Sequence, residues 1–220
     1  MALSAARQRL ASSAGLIGVS VIAFGSIAAA VAYVGSKGQS FSPLNHWVSE
    51  LGETGVSELS TVFNLCLVLG GIEFVIFTIG LAATRGGLFA WLYGLVGVVA
   101  SIGGIFVGVF PMNNLDAHGI AALTFFNLGW IVVGLASIDF VRRPDERFPR
   151  WLAIIGALTV VFFVGFLAVL LPLIASGDGL GAPEVRPDIW IVPILEWAVL
   201  IGILAWVFAT SWTWWRGVRE

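Results

Sequence analysis

The 220-residue chain has one cysteine, Cys66, one lysine, Lys37, and two histidines, His46 and His118. A single cysteine excludes an intrachain disulfide, and its place inside an apolar run fits a small buried hydrophobe. Charged residues make up only 11% of the chain. They form no basic patch suited to nucleic acid, so no such partner is expected. The HExxH pair of a zinc hydrolase is absent, and so is any Asn-x-Ser/Thr sequon. The period-two alternation that marks half-buried strands is missing as well.

Apolar residues fill the space these absences leave. They account for 59% of the chain, and the mean hydropathy is +0.99. Whole segments are apolar all round rather than on one face, which marks an integral membrane protein. Crossing the hydrocarbon core takes about 20 apolar residues. Six runs qualify, at about 14–35, 58–83, 88–111, 118–140, 151–174 and 190–215. Backbone exposed to lipid must satisfy its hydrogen bonds within its own segment, so each run is expected to be a helix. The expected fold is all-α: a polytopic, compact bundle of six transmembrane helices, with residues 1–220 as one transmembrane domain. The first run is too long for a signal-peptide core and reads as an uncleaved span.

The charges are sorted along the chain. Arg7, Arg9, Arg85, Arg142, Arg143, Arg147, Arg150, Arg216 and Arg219 fall on one side, and only Lys37 and Arg186 on the other. Seven acids join the sparse side: Glu50, Glu53, Glu58, Asp116, Asp178, Glu184 and Asp188. The positive-inside rule then predicts a cell-membrane protein with both termini cytoplasmic. Trp151, Trp190, Trp212, Trp214 and Trp215 lie near span ends and read as interfacial anchors. Gly104 and Gly108, spaced as GxxxG, predict close helix packing. At the cytoplasmic end of span four, Asp139 is expected to pair locally with Arg142 and Arg143.

The stretch FSPLNHWVSELGE, Phe41 to Glu53, interrupts this pattern. Ser42 suits an N-cap, Pro43 the first helical position and Gly52 the stop, which predicts a short interfacial helix over about 42–51 on the extracytoplasmic side. His46 and Glu50 stand one turn apart on it. The turn before span four gathers Asn113, Asn114, Asp116 and His118 on the same face. Beneath them, Asn64 and Glu196 lie about 9 Å into their spans and Asn127 about 13 Å. Glu73 lies nearer the midplane. An intramembrane acid costs about 2.5–3.5 kcal/mol on insertion scales and is expected to face the bundle interior. A weak repeat relates Phe63-Asn64-Leu65 to Phe126-Asn127-Leu128.

The motifs VSELG (Ser49, Leu51, Gly52), FN (Phe63, Asn64) and GVFP (Gly108 to Pro111), with His118 following, resemble the prokaryotic membrane family called domain of unknown function 998. A more distant similarity links the chain to the Frag1/DRAM/Sfk1 group. The resemblance implies about six spans and a membrane location, and it implies no reaction.

An extracytoplasmic polar pocket lined by His46, Glu50, Asn64, Asn113, Asp116, His118, Asn127 and Glu196 is therefore expected to bind a lipid or small polar ligand. The connection ASGDGLGAPEVRPD, rich in Gly, Pro and acid, reads either as a solvated connection or as a flexible cover over this pocket. His46, Glu50, Asp116 and His118 are chemically able to ligate zinc, but no spacing demands a metal, and neither a metal nor a cofactor is assigned. Membrane lipids are expected partners, with a membrane-protein partner or homo-oligomer also open. An accessory subunit, a His/carboxylate enzyme and a transporter are the competing readings.

Overall fold

The structure, a computed structural model, describes residues 4–176 and 186–218. The core of the predicted cover, residues 177–185, lies outside the described residues, as do two of the counted acids, Asp178 and Glu184, and one counted arginine, Arg219. Six α-helices run through the described chain: α1 (Ala5–Ala32), α2 (Ser60–Arg85), α3 (Gly87–Val109), α4 (Leu115–Arg142), α5 (Leu152–Ser176) and α6 (Ile191–Gly217). At 1.5 Å per residue, the 23 residues of the shortest helix reach about 35 Å, enough to cross a bilayer core of about 30 Å. All six are long and apolar enough to span a membrane. Apart from one isolated bridge between Val34 and Ser40, no strand pairing occurs among the described residues.

Consecutive helices pack side by side, and α6 returns to pack on α1, which closes the bundle into a ring. The tightest connection, between α2 and α3, is made by Gly86 and Gly87 at φ +66° and +83°, a left-handed conformation that costs a glycine little. The small-residue signal is only partly right about which glycines matter. Gly108 lies against the Asn64 carbonyl of α2, but it is Gly103, not Gly104, that lies against the α4 backbone at Ala121 and Phe125.

Large aromatics fill the ring interior. Phe77, Phe140, Phe148, Phe163, Trp206 and Trp214 are all buried. Trp214 therefore departs from its expected role as an anchor: it is fully buried, and its indole N–H donates to Gln8 Oε1 at 3.3 Å. Its neighbours Trp212 and Trp215, and Trp151 on the same end, are exposed as interfacial residues should be.

At the end where α1 begins and α6 finishes, a cross-helix ion cluster extends the local pairing expected for Asp139. Arg143 does bond Asp139, at 2.6 Å, but Arg142 turns away to lie over the Phe89 ring. The buried partner is Arg85 of α2, whose Nε is 2.6 Å from Asp139 Oδ2. Tyr93 of α3 donates its hydroxyl to the same oxygen at 3.3 Å. One carboxylate thus ties α2, α3 and α4 together. A sequence reading limited to neighbours one turn away cannot see such a tie.

Candidate ligand-binding site

The opposite end of the ring is closed by the connection between α1 and α2. Residues 42–51 do not form the single interfacial helix expected there. Ser42 accepts one helical bond from His46 N–H at 2.9 Å, and a 3-10 turn follows at Ser49–Gly52. The helix fails between them because its bonding groups are claimed by other elements. The Trp47 N–H donates to Glu50 Oε1 at 3.0 Å, and the Val48 N–H donates to Glu196 Oε2 of α6 at 2.7 Å. The Leu44 carbonyl accepts from Trp190 N–H at 2.8 Å. Buried backbone groups must be satisfied somewhere, and here tertiary partners substitute for the helical ladder.

Glu50 is the centre of this cap. Both its oxygens accept from Arg186, each at 2.9 Å, in a fork that suits the guanidinium. The Tyr33 hydroxyl donates to Oε2 at 3.3 Å, and burial, with the Glu50 charge adding, holds that phenol well above its usual range. Asn45 donates to the Pro187 carbonyl at 2.9 Å, which ties the same two segments again. Glu50 is therefore a latch between the first connection and the approach to α6, and its oxygens are occupied. Its carboxylate also adds to burial in raising the affinity of nearby Glu53 for its proton.

His46 sits beside this latch. Its Nδ1 lies 2.8 Å from Asn45 Oδ1 and 3.2 Å from the Ser42 amide, and its ring packs on Tyr33 and Phe41. Burial pulls its pKa below the ordinary histidine range, and the Arg186 charge pulls it further, against the opposing pull of Glu50. His46 Nε2 is enclosed and has no hydrogen-bond partner among the described residues. His46 and Glu50 thus build the cap and do not line the cavities beneath it.

Two adjoining cavities lie under the cap. One, of about 100 Å³, runs down the ring interior between α1, α2, α3, α4 and α6. The other, of about 280 Å³, is a cleft between the cap-side ends of α4 and α5. Ser49, His118, Ala122, Phe126 and Glu196 line both. Native interiors hold few voids larger than a water, and the cleft, at about 280 Å³, approaches the small end of ligand pockets, about 300–1,000 Å³. Exposed Leu115, Ile120 and Ile174 form the rim of the cleft, so it opens on the side of the bundle.

The polar groups on the shared wall are few and fixed. Glu196, 8% exposed, accepts from the Val48 amide at 2.7 Å. His118, 9% exposed, has Nδ1 at 2.8 Å from the Phe110 carbonyl. A carbonyl only accepts, so Nδ1 carries the proton and Nε2 is left with a lone pair. Nε2 has no hydrogen-bond partner among the described residues, and His118 lines both cavities.

The remaining predicted residues divide. Asp116 lines the cleft from its exposed rim. Asn113 exchanges two hydrogen bonds with Thr54, at 2.8 and 3.0 Å, and so fastens the turn before α4 to the cap. Asn64 donates to the Gly52 carbonyl at 2.9 Å and anchors the 3-10 turn. Asn127 does not join the site. It is exposed on the outside of the ring and bonds its own helix at Leu123 O, because inward-facing Phe126 leaves the next residue rotated by about 100°. The repeat that pairs Asn64 with Asn127 therefore does not extend to their orientation. Glu73 is half-buried on α2 beside Gly18, lines neither cavity, and makes no hydrogen bond or ion pair among the described residues.

Three participants escape the sequence reading: Arg186, Tyr33 and the apolar cleft wall of Phe126, Phe166 and Leu170. Arg186 left a trace, since a buried Glu50 needs a cation and few exist on that end. Among the described residues, no three His, Cys, Asp or Glu side chains gather as a metal-binding group.

The fold and the site together define a polytopic membrane protein whose helix ring encloses a polar-capped, largely apolar cavity. A family model described as "Protein of unknown function (DUF998)" matches residues 21–213, and the chain belongs to that family. Comparison with curated proteins and with solved structures finds no match.

Proposed function

We propose that this protein binds an amphiphilic lipid, with the apolar chain in the α4–α5 cleft and the polar end at Ser49, His118 and Glu196. The observation that carries the reading is that these three buried polar side chains line both cavities, while the surrounding wall is aliphatic and aromatic. A side opening between two membrane-spanning helices faces the acyl chains of the bilayer, so a lipid can enter without leaving it. We further propose that the arginine-rich end is cytoplasmic, by the positive-inside rule, so that the site serves the outer leaflet.

Native mass spectrometry of protein extracted in mild detergent tests the reading. The expected result is one retained lipid per chain, lost on Gly119→Leu. Gly119 lines the cleft with nothing within 4 Å of the position its side chain would take. A Cβ at this position meets no neighbour, so leucine is expected to be tolerated and to occupy part of the cleft, and it also favours the helix by roughly 0.5–1 kcal/mol. Bare chain alone, or equal lipid on both proteins, refutes the reading.

A further inference from the structure

The lining of the site specifies the chemistry of the polar end it takes. This inference rests on the lipid reading and narrows it. Glu196 brings carboxyl oxygens that accept, His118 Nε2 brings a lone pair, and Ser49 adds a hydroxyl able to donate or accept. Trp47 lines the cleft too, but its indole N–H is enclosed and does not reach the space. The ionisable residues with acidic side chains on the two cavity walls are Glu196 and, at the rim, Asp116. Among the described residues, neither wall carries lysine or arginine. The arginine of this end, Arg186, is committed to Glu50. A phosphate or carboxylate entering the cavity would meet acidic side chains and no cation to compensate its own charge, in surroundings where an unpaired charge is costly.

A protonated amine meets the opposite situation. It brings only donors, and it finds a carboxylate, an imidazole lone pair and a hydroxyl. The rings of Phe126 and Phe166, with centroids 4.6 Å apart, stand on the cleft wall and offer faces that favour a cation. We infer that the site selects amphiphiles whose polar end is an ammonium group, held between Glu196 and His118 Nε2.

Hexadecylamine, hexadecanol and palmitate share one chain length and differ in the head, so their binding to the detergent-purified full chain tests the inference. Titration of each at neutral pH, with Gly119→Leu as the nonspecific baseline, gives three affinities. The expected order is amine, then alcohol, then carboxylate, with the amine ahead of the carboxylate by about tenfold or more, as a charge-assisted hydrogen bond warrants. Glu196→Gln keeps an acceptor for the Val48 amide and removes the charge, and is expected to bring the amine down to the affinity of the alcohol. The ranking on the unaltered protein needs no variant, and Asp116→Asn, at an exposed position, supplies a second charge test with an expected drop of about twofold. Equal affinities, or tightest binding of palmitate, overturn the amine inference and leave the lipid reading standing. Binding of all three that is no stronger than to Gly119→Leu overturns both.

Discussion

Arg186→Met removes the cation of the cap and keeps most of the side-chain volume. In the structure Arg186 gives two hydrogen bonds of 2.9 Å to Glu50, and the two side chains are 16% and 5% exposed. Without the guanidinium, Glu50 keeps only the Trp47 amide and the Tyr33 hydroxyl. Breaking a buried pair from one side costs about 3–5 kcal/mol, because the surviving charge stays buried. Arg186 is partly open to solvent, so we expect a cost below that range, about 2–3 kcal/mol. Glu50→Gln retains an acceptor for Trp47 and is expected to cost about 1–2 kcal/mol. The double variant should be less destabilised than the two losses added, with a coupling of about 1.5–3 kcal/mol. Equilibrium unfolding in mixed detergent micelles, run on all four proteins, measures this directly. A loss below about 0.5 kcal/mol for Arg186→Met, with additive behaviour of the pair, would refute the latch and place this ion pair with ordinary surface pairs.

Three further outcomes follow from the same geometry. His46 has a folded pKa below its unfolded value, so the unfolded chain binds the extra proton; stability is complete above about pH 6.5 and falls as the pH drops below it. His46→Phe should flatten that slope between pH 5 and 6.5, and an unchanged slope in thermal unfolding counts against it. Asn127→Leu exchanges a polar group on the outer surface of the ring for an apolar one and should be neutral or mildly stabilising, whereas Asn64→Leu, which orphans the Gly52 carbonyl, should cost about 1–3 kcal/mol in the same unfolding assay. At the other end, Arg85→Met leaves Asp139 buried with Arg143 as its remaining cation and should destabilise by more than Arg142→Met, which loses only a ring contact; equal effects would remove the case for a cross-helix tie.

The spans were legible because hydrocarbon imposes a coarse rule: enough apolar residues in a row make a helix, and the six runs lie within about ten residues of the helices at every end. Helix rotation was not legible. Asn64 and Asn127 occupy matching places in matching words, FNL and FNL, yet one faces the cap and the other faces lipid. Apolar residues surround both, so no amphipathic stripe reveals which side is inward. The cap was misread for a different reason. Ser42, Pro43 and Gly52 are sound helix signals, but local propensity carries no information about Glu196 or Trp190, distant residues that take over the bonds of Val48 and Leu44. Topology places His118 and Glu196 at one end of the bundle, where both line the same cavities, whereas the pairing of Glu50 with Arg186 depends on a contact across 136 residues of chain.

The central claim is that a lipid occupies the cleft between α4 and α5 with its polar end at the buried carboxylate and imidazole. A density map of the protein in nanodiscs of native lipid tests it most directly. The account predicts an elongated density entering beside Gly119 and ending within hydrogen-bonding distance of Glu196 and His118 Nε2. A cleft that is closed or filled by discrete waters, with lipid only around the outside of the ring, would contradict it.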